Sequence, residues 1–214
     1  MAMPSGCSSS DTRTDSLASV NPNLYNSAMP KKKQKILIIT DDSGESFEIL
    51  YAQARFAEAG YQPVIAATKK KALHGVVHDF DPDWTTYVEK PGYRIDADIA
   101  IAKAKGSDYV AMVLIGGRAP EFLRYDKKLI KLVQEFDRAN KPIFSICHGI
   151  QILAEAGVLP GRTVTCYVNV RSEATVAGAK WVNKQSVRDG NLVSAQTWES
   201  HADFYRDIFK CLGT

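Results

Sequence analysis

Four stretches of the chain are almost continuously apolar: residues 35–40, 63–68, 109–115 and 143–146. Runs of this length, rather than strict alternation, predict strands covered on both faces, as in a parallel sheet. Between them the apolar positions recur at helical spacing. Phe47, Leu50, Tyr51, Ala54 and Phe56 lead one helix that stops at Gly60. In residues 126–140, Leu129, Ile130, Leu132, Val133 and Phe136 form an inward stripe, Lys127, Lys128, Lys131 and Glu135 an outward one, and Asp126 is placed as N-cap. Ile150, Leu153, Ala154 and Val158 continue the pattern before Gly157 and Pro160-Gly161 stop it. Strands alternating with helices predict an α/β three-layer sandwich with a mostly parallel sheet and helices on both faces.

The remainder is read in the same way. Residues 163–167 predict a strand and 173–179 a short helix. Residues 181–188 and 191–195, joined by Asp189-Gly190, predict a hairpin. Residues 202–212 predict a last helix that buries Phe204, Ile208 and Phe209 or Leu212. The stretch at about 72–97 lacks clean periodicity and predicts an extended loop insertion, with a short hairpin arm at residues 76–80. Residues 1–34 are rich in Ser, Asn, Asp, Thr and Pro and predict a flexible tail, leaving residues 35–214 as one domain. Residues 5–10, with Cys7 among serines, look like the start of a mature lipoprotein, but no hydrophobic segment precedes them.

One junction stands out chemically. The strand at 143–146 passes directly into Cys147-His148-Gly149 and then into a helix, with no turn filler. Such a junction forces one residue into a tight bend. If that residue is Cys147, its sulfur projects at a helix amino terminus, where unpaired N–H groups and the dipole favour a thiolate. This is the arrangement of a nucleophile elbow. The competing reading is a small buried core residue. Glu45, at the junction after the first strand, falls on the same sheet edge as Cys147. By position alone it is equally a first-turn acid favoured by the helix dipole.

Cys147-His148-Gly149, preceded by Lys141-Pro142 and followed by Gln151-Ile152-Leu153-Ala154, resembles the ThiJ/PfpI superfamily, as does Gly116-Gly117-Arg118-Ala119-Pro120-Glu121. The likeness runs from about residue 35 to 212 and is greatest to the PfpI-like "protease I" branch. It implies a flavodoxin-like sandwich in which Cys147 is the nucleophile, Glu45 contacts its sulfur, and Gly116-Gly117 and the N–H of His148 supply oxyanion donors. Tyr167 matches a position facing the nucleophile. In that branch the triad histidine turns toward an acid from an adjacent subunit. Glu89, Asp79 and Asp81 all remain open for that role. Arg118 is read as binding a carboxylate or bracing its loop, and Trp198 and His201 as lining the pocket mouth or starting a surface helix. An ionised Glu45 would disfavour a thiolate, so Glu45 is expected to be protonated.

The implied activities are peptidase, cofactor-free glyoxalase and deglycase chemistry on a small carbonyl compound or peptide. Two other classes compete. One is a redox-sensing or chaperone-like stress protein in which Cys147 is oxidised. The other is a glutaminase-like relative, suggested by His201-Ala202-Asp203 but lacking the Gly-x-Cys-x-Gly elbow. Family members assemble as homodimers or dimer-built hexamers. Composition narrows the rest. A net charge of +3, with lysine runs at 31–33 and 69–71 and no aromatic platform, argues against nucleic-acid binding. Cys7, Cys147, Cys166 and Cys211 are scattered, without metal-pair or disulfide-scaffold spacing, so a reducing cytoplasm is expected. His74 and His78, four apart with no third ligand, are read as loop packing rather than a metal site. No cofactor or membrane span is expected.

Overall fold

The computed structural model describes residues 33–214. The tail reading for residues 1–32, with Cys7, lies outside the described residues. The elements follow in order as β1 (Lys35–Ile39), α1 (Ser46–Glu58), β2 (Gln62–Ala67), β3 (Ala72–Asp79), β4 (Val88–Asp96), β5 (Ile99–Ala100), β6 (Ala111–Leu114), α2 (Ala119–Leu123), α3 (Lys127–Arg138), β7 (Ile143–Ile146), α4 (Ile150–Glu155), β8 (Thr163–Val164), α5 (Arg171–Val176), β9 (Lys180–Trp181), β10 (Ser186–Asp189), β11 (Leu192–Ala195) and α6 (His201–Leu212).

The main sheet has the order β10-β11-β7-β6-β1-β2-β5. Every neighbouring pair in it is parallel except β10 with β11. The sequence dictates this arrangement. Ile36, Leu37, Ile38 and Ile39 of β1 and Ala111 through Leu114 of β6 are fully enclosed, which is possible only where helices cover both faces. Asp126 caps α3 as its spacing indicated, accepting from the N–H groups of Lys128 (2.8 Å) and Leu129 (3.1 Å). The strand order reverses between β1 and β6, so the crevice beyond their carboxyl ends is where a doubly wound sheet places a site.

Three expectations change. Residues 72–97 are not a loop but a long antiparallel hairpin, β3 with β4, of which the expected arm at 76–80 is one part. A bulge between His74 and Val76 breaks the two-residue alternation that would have marked the strands. The hairpin lies against the sandwich. The Val76 N–H donates to the Gly44 carbonyl (2.9 Å), the Ser43 N–H to that of His74 (2.8 Å), and the Tyr93 N–H to Ser46 Oγ (3.1 Å). Gly75 and Gly92 permit this, since a Cβ on either would fall 2.4 or 2.2 Å from Ser46 Oγ. Trp181 does not lead the hairpin of β10 and β11; it pairs in β9 with Val164 of β8, in a separate two-stranded sheet. β8 itself ends at Val164, because the Thr165 N–H leaves the ladder for Ser194 Oγ (3.0 Å).

Candidate active site

The bend after β7 is tight. Cys147 has φ of +57°, in the left-handed region that a side chain rarely enters, and Cys147–Gly149 form a single 3-10 turn before α4. Strain of this kind persists only where the surroundings impose it. Here Gly149 sits against Leu114, where a Cβ would come 2.5 Å from the carbonyl oxygen. The turn is therefore wedged onto the end of β6.

Gly116, two residues beyond the end of β6, lies against the nucleophile candidate. A Cβ there would fall 2.5 Å from Cys147 Cβ, 3.2 Å from Cys147 Sγ and 2.8 Å from Glu48 Oε2. The sulfur and the Glu48 carboxyl thus flank the same glycine. Glu48 Oε2 accepts the Gly116 N–H at 2.7 Å, and its Oε1 is buried with no hydrogen-bond partner. Burial raises the Glu48 carboxyl well above the usual range, and the neighbouring Glu45 raises it further. A proton on Glu48 belongs on Oε1, since Oε2 is accepting.

This corrects the expectation for Glu45. Its side chain turns back and caps α1, with Oε2 accepting the Glu48 N–H at 2.7 Å. Glu45 is 1% exposed and burial raises its pKa to about 7, so it is mainly protonated only below neutrality. Its influence on the sulfur is nevertheless weaker than that of Glu48. The sequence reading missed Glu48. The usable signal was the spacing: with Glu45 as N-cap, Glu48 is the third helical residue, whose side chain leans back toward the helix start and the sheet edge.

The thiol is not the exposed thiolate that a helix amino terminus alone would produce. Cys147 is 2% exposed. Burial pushes its pKa well up and Glu48 adds to this, while the backbone N–H groups of His148 and Gly117 pull in the opposite direction. Those two N–H groups are the ones expected as oxyanion donors, and they converge on the sulfur. His148 Nδ1 lies 3.3 Å from Sγ. Burial lowers the imidazole to a pKa of about 4, with His78 contributing, so the ring is neutral near pH 7 and able to accept a proton.

Tyr167 stands beside His148, ring centroids 5.4 Å apart, and its hydroxyl accepts from Asn169 Nδ2 at 3.0 Å. Arg118 both binds a carboxylate and braces a loop: Nε and Nη2 each reach Glu89 at 2.7 Å, and Nη2 reaches Ser43 Oγ at 3.2 Å. Glu89 also faces His78 Nε2 at 3.0 Å, and the Arg118 contact holds its pKa down to about 2. Asp79 and Asp81 pair instead with Lys90 at the hairpin tip. Among the described residues no carboxylate hydrogen-bonds to His148. Cys166 is buried apart from this cluster, with its thiol pushed up to about 12 by burial. No group of His, Cys, Asp and Glu among the described residues is placed to hold a metal, and no helix among them is long and apolar enough to cross a membrane.

Trp198 and His201 do not share one location. Trp198 stacks on Phe80 of the hairpin at 5.5 Å and lies 6.2 Å from His78. His201 packs among Phe47, Tyr51 and Tyr205, with the Tyr51 ring stacked at 4.4 Å. It is 5% exposed, and burial lowers its pKa to about 4. Below pH 6.5 the unfolded chain therefore takes up a proton that folded His201 refuses. The stability tied to this site is complete above pH 6.5 and is lost as the pH falls toward 4, about 2 kcal/mol of it by pH 5. In His201→Phe the difference in unfolding free energy between pH 8 and pH 5, from urea titrations, should shrink by that amount. An unchanged difference would show that His201 titrates normally.

A doubly wound α/β domain with a left-handed cysteine bend at the switch-point edge defines a class. The comparisons identify its family: residues 34–211 match the DJ-1/PfpI family, and the chain belongs to it. It is 35% identical over 187 residues to protein DJ-1 homolog D of Arabidopsis thaliana, covering 84% of this chain and 48% of that protein, so it spans about half the length of this relative. It is 35% identical to a deglycase of Thermococcus kodakarensis and 34% identical to deglycase PfpI of Pyrococcus furiosus, each over 76% of this chain and 89% of the relative. In solved structures the fold recurs in a ThiJ/PfpI domain protein of Brachyspira murdochii, with a TM-score of 0.74, 23% identity, and coverage of 85% of this chain and 98% of that one. It recurs also in Drosophila melanogaster DJ-1beta, with a TM-score of 0.72, 22% identity, and coverage of 86% and 92%.

Proposed function

We propose that the chain is a cysteine-dependent hydrolase or lyase that acts on small carbonyl compounds, of glyoxalase or deglycase type. The observation that carries this is the convergence of His148 Nδ1, the N–H groups of Gly117 and His148, and the Glu48 carboxyl on one sulfur at a strained bend. The deglycase names of relatives about 35% identical support the same reading.

The chemistry follows from the proton inventory. Both the thiol and His148 are neutral at rest. As Sγ adds to an aldehyde carbon, the thiol proton passes to His148 Nδ1. The carbonyl oxygen takes the electron pair of the broken π bond and meets the two N–H donors, whose charge stabilisation is worth most in a dry site. Protonated Glu48 lies beside the reacting centre and delivers or accepts the next proton. A thiol that ionises only as it attacks suits turnover better than peroxide sensing, because oxidation follows thiolate character and exposure.

The test is consumption of methylglyoxal and of freshly formed methylglyoxal adducts of amino acids. Cys147→Ser should lower kcat/KM by about 1,000-fold or more, because a serine hydroxyl in this bend has only neutral His148 as base. Turnover equal to wild type in the serine variant would remove the nucleophile from this account.

A further inference from the structure

Cys147 is almost fully enclosed, and the hairpin contributes to its surroundings as well as the sandwich. One wall comes from the hairpin. Tyr87, at the foot of β4, meets His148 edge-on with ring centroids 6.2 Å apart, and Tyr167 at 5.6 Å. The His148 ring is the one beside the sulfur, and Tyr167 packs against it. Burial pushes the Tyr87 phenol up to about 12, with Cys147, Tyr167, Glu121 and Glu89 adding to the shift, so its hydroxyl shares their surroundings.

Tyr87 is also held in place. The His78 ring lies 4.4 Å from it. His78 is itself buried and tied through Nε2 to Glu89, two residues after Tyr87, and Glu89 is gripped through both carboxylate oxygens by Arg118 of the glycine-rich turn. A second set of contacts, the backbone bonds of Ser43 and Gly44 and the Ser46 hydroxyl to the hairpin, fixes its root. This wall is therefore built in rather than draped over the site.

We propose that Tyr87, held by the His78–Glu89–Arg118 cluster, is the specificity-determining wall of the site: it admits compact carbonyl compounds to Cys147 and bars peptide-length chains. The geometry of attack explains the distinction. The reacting carbon must come within about 3–3.5 Å of Sγ. A peptide carbonyl at that distance needs an open channel on both sides for the chain to leave by, whereas a three-carbon dicarbonyl needs only a pocket. This wall deepens the reading of Cys147 as the nucleophile and rests on it.

The experiment compares two reagents of the same chemistry and different size, N-ethylmaleimide and a maleimide carrying a peptide-length polyethylene glycol chain. Modification of Cys147 is followed by mass spectrometry, and each rate is divided by that of the same reagent with free cysteine. In the wild-type protein the large reagent should lag the small one by about tenfold or more. Tyr87→Ala should close that gap, and Tyr87→Phe, which keeps the ring, should preserve it. Equal normalised rates in the wild type overturn the proposal without any variant. So does a gap that survives Tyr87→Ala, or one that closes in Tyr87→Phe. Methylglyoxal turnover is measured on the same samples. A size gap that depends on Tyr87, without turnover, sinks the catalytic reading and leaves the wall standing; turnover without a gap does the reverse.

Discussion

Replacing Glu48 by glutamine lowers kcat/KM for methylglyoxal by about 100-fold, within the range that a positioned acid or base contributes, whereas Glu45→Gln costs less than tenfold. The two residues are three apart and both are buried, yet they have separate tasks. Glu48 Oε2 is bound to the Gly116 N–H beside Cys147, and its Oε1 is free to carry a proton. Glutamine keeps the shape and the Gly116 contact but has no proton to exchange at neutral pH. Glu45 Oε2 is spent on the first turn of α1, so its replacement weakens the cap by about 1 kcal/mol and reaches the chemistry only indirectly. The measurement is a pair of Michaelis–Menten series with urea unfolding of each variant. A larger activity loss in Glu45→Gln than in Glu48→Gln would reverse the assignment.

A methyl group at Gly117 destabilises the protein by about 3 kcal/mol or more and abolishes activity, because the clash is with main chain that has nowhere to go. Gly117 has φ of +74°, and an added Cβ would fall 2.3 Å from the Ser43 carbonyl oxygen, 2.6 Å from the Glu45 nitrogen and 2.9 Å from the Gly44 carbonyl carbon. The loop from 43 to 45 leads into the helix that carries Glu48, and the Arg118 N–H is bonded to the Ser43 carbonyl at 2.8 Å. Relief of the clash must move that loop, the acid and the N–H donor together. Gly60→Ala is the control. Its φ is +88° but nothing lies within 4 Å of the new atom, so it should cost only the left-handed penalty of about 1–2 kcal/mol. Equal losses in the two variants, by urea titration, would mean that packing at Gly117 is unimportant.

What could be read from the sequence, and what could not, follows from how local each feature is. β1, β6 and β7 were visible because continuous apolar runs have few alternatives once they are too short for helices. Cys147 was visible because a strand abutting a helix leaves no residue to make the turn except the cysteine itself. The hairpin was obscured by its own bulge and by Pro91-Gly92, features that serve its fit against Ser46 rather than its pleat. Glu48 was hidden for another reason. Acids at the N-cap and the third position of a helix look alike in one dimension, and only the approach of Gly116 after β6, 68 residues away, decides which one is held beside Cys147. The role of Tyr87 was beyond local reading as well, since the rings it meets come from the segments after β7 and β8, and the Glu89 that holds His78 is itself bound by Arg118 of the glycine-rich turn.

The hairpin has one more consequence. Ala72 and Asp96 stand opposite each other where it leaves the sandwich, so excising it there leaves chain ends only about 5 Å apart. A short turn would rejoin them without disturbing the parallel strands. The arm is thus an exchangeable cassette: a graft from a relative would bring a different wall to the same cysteine, and selectivity could be altered without altering the chemistry underneath.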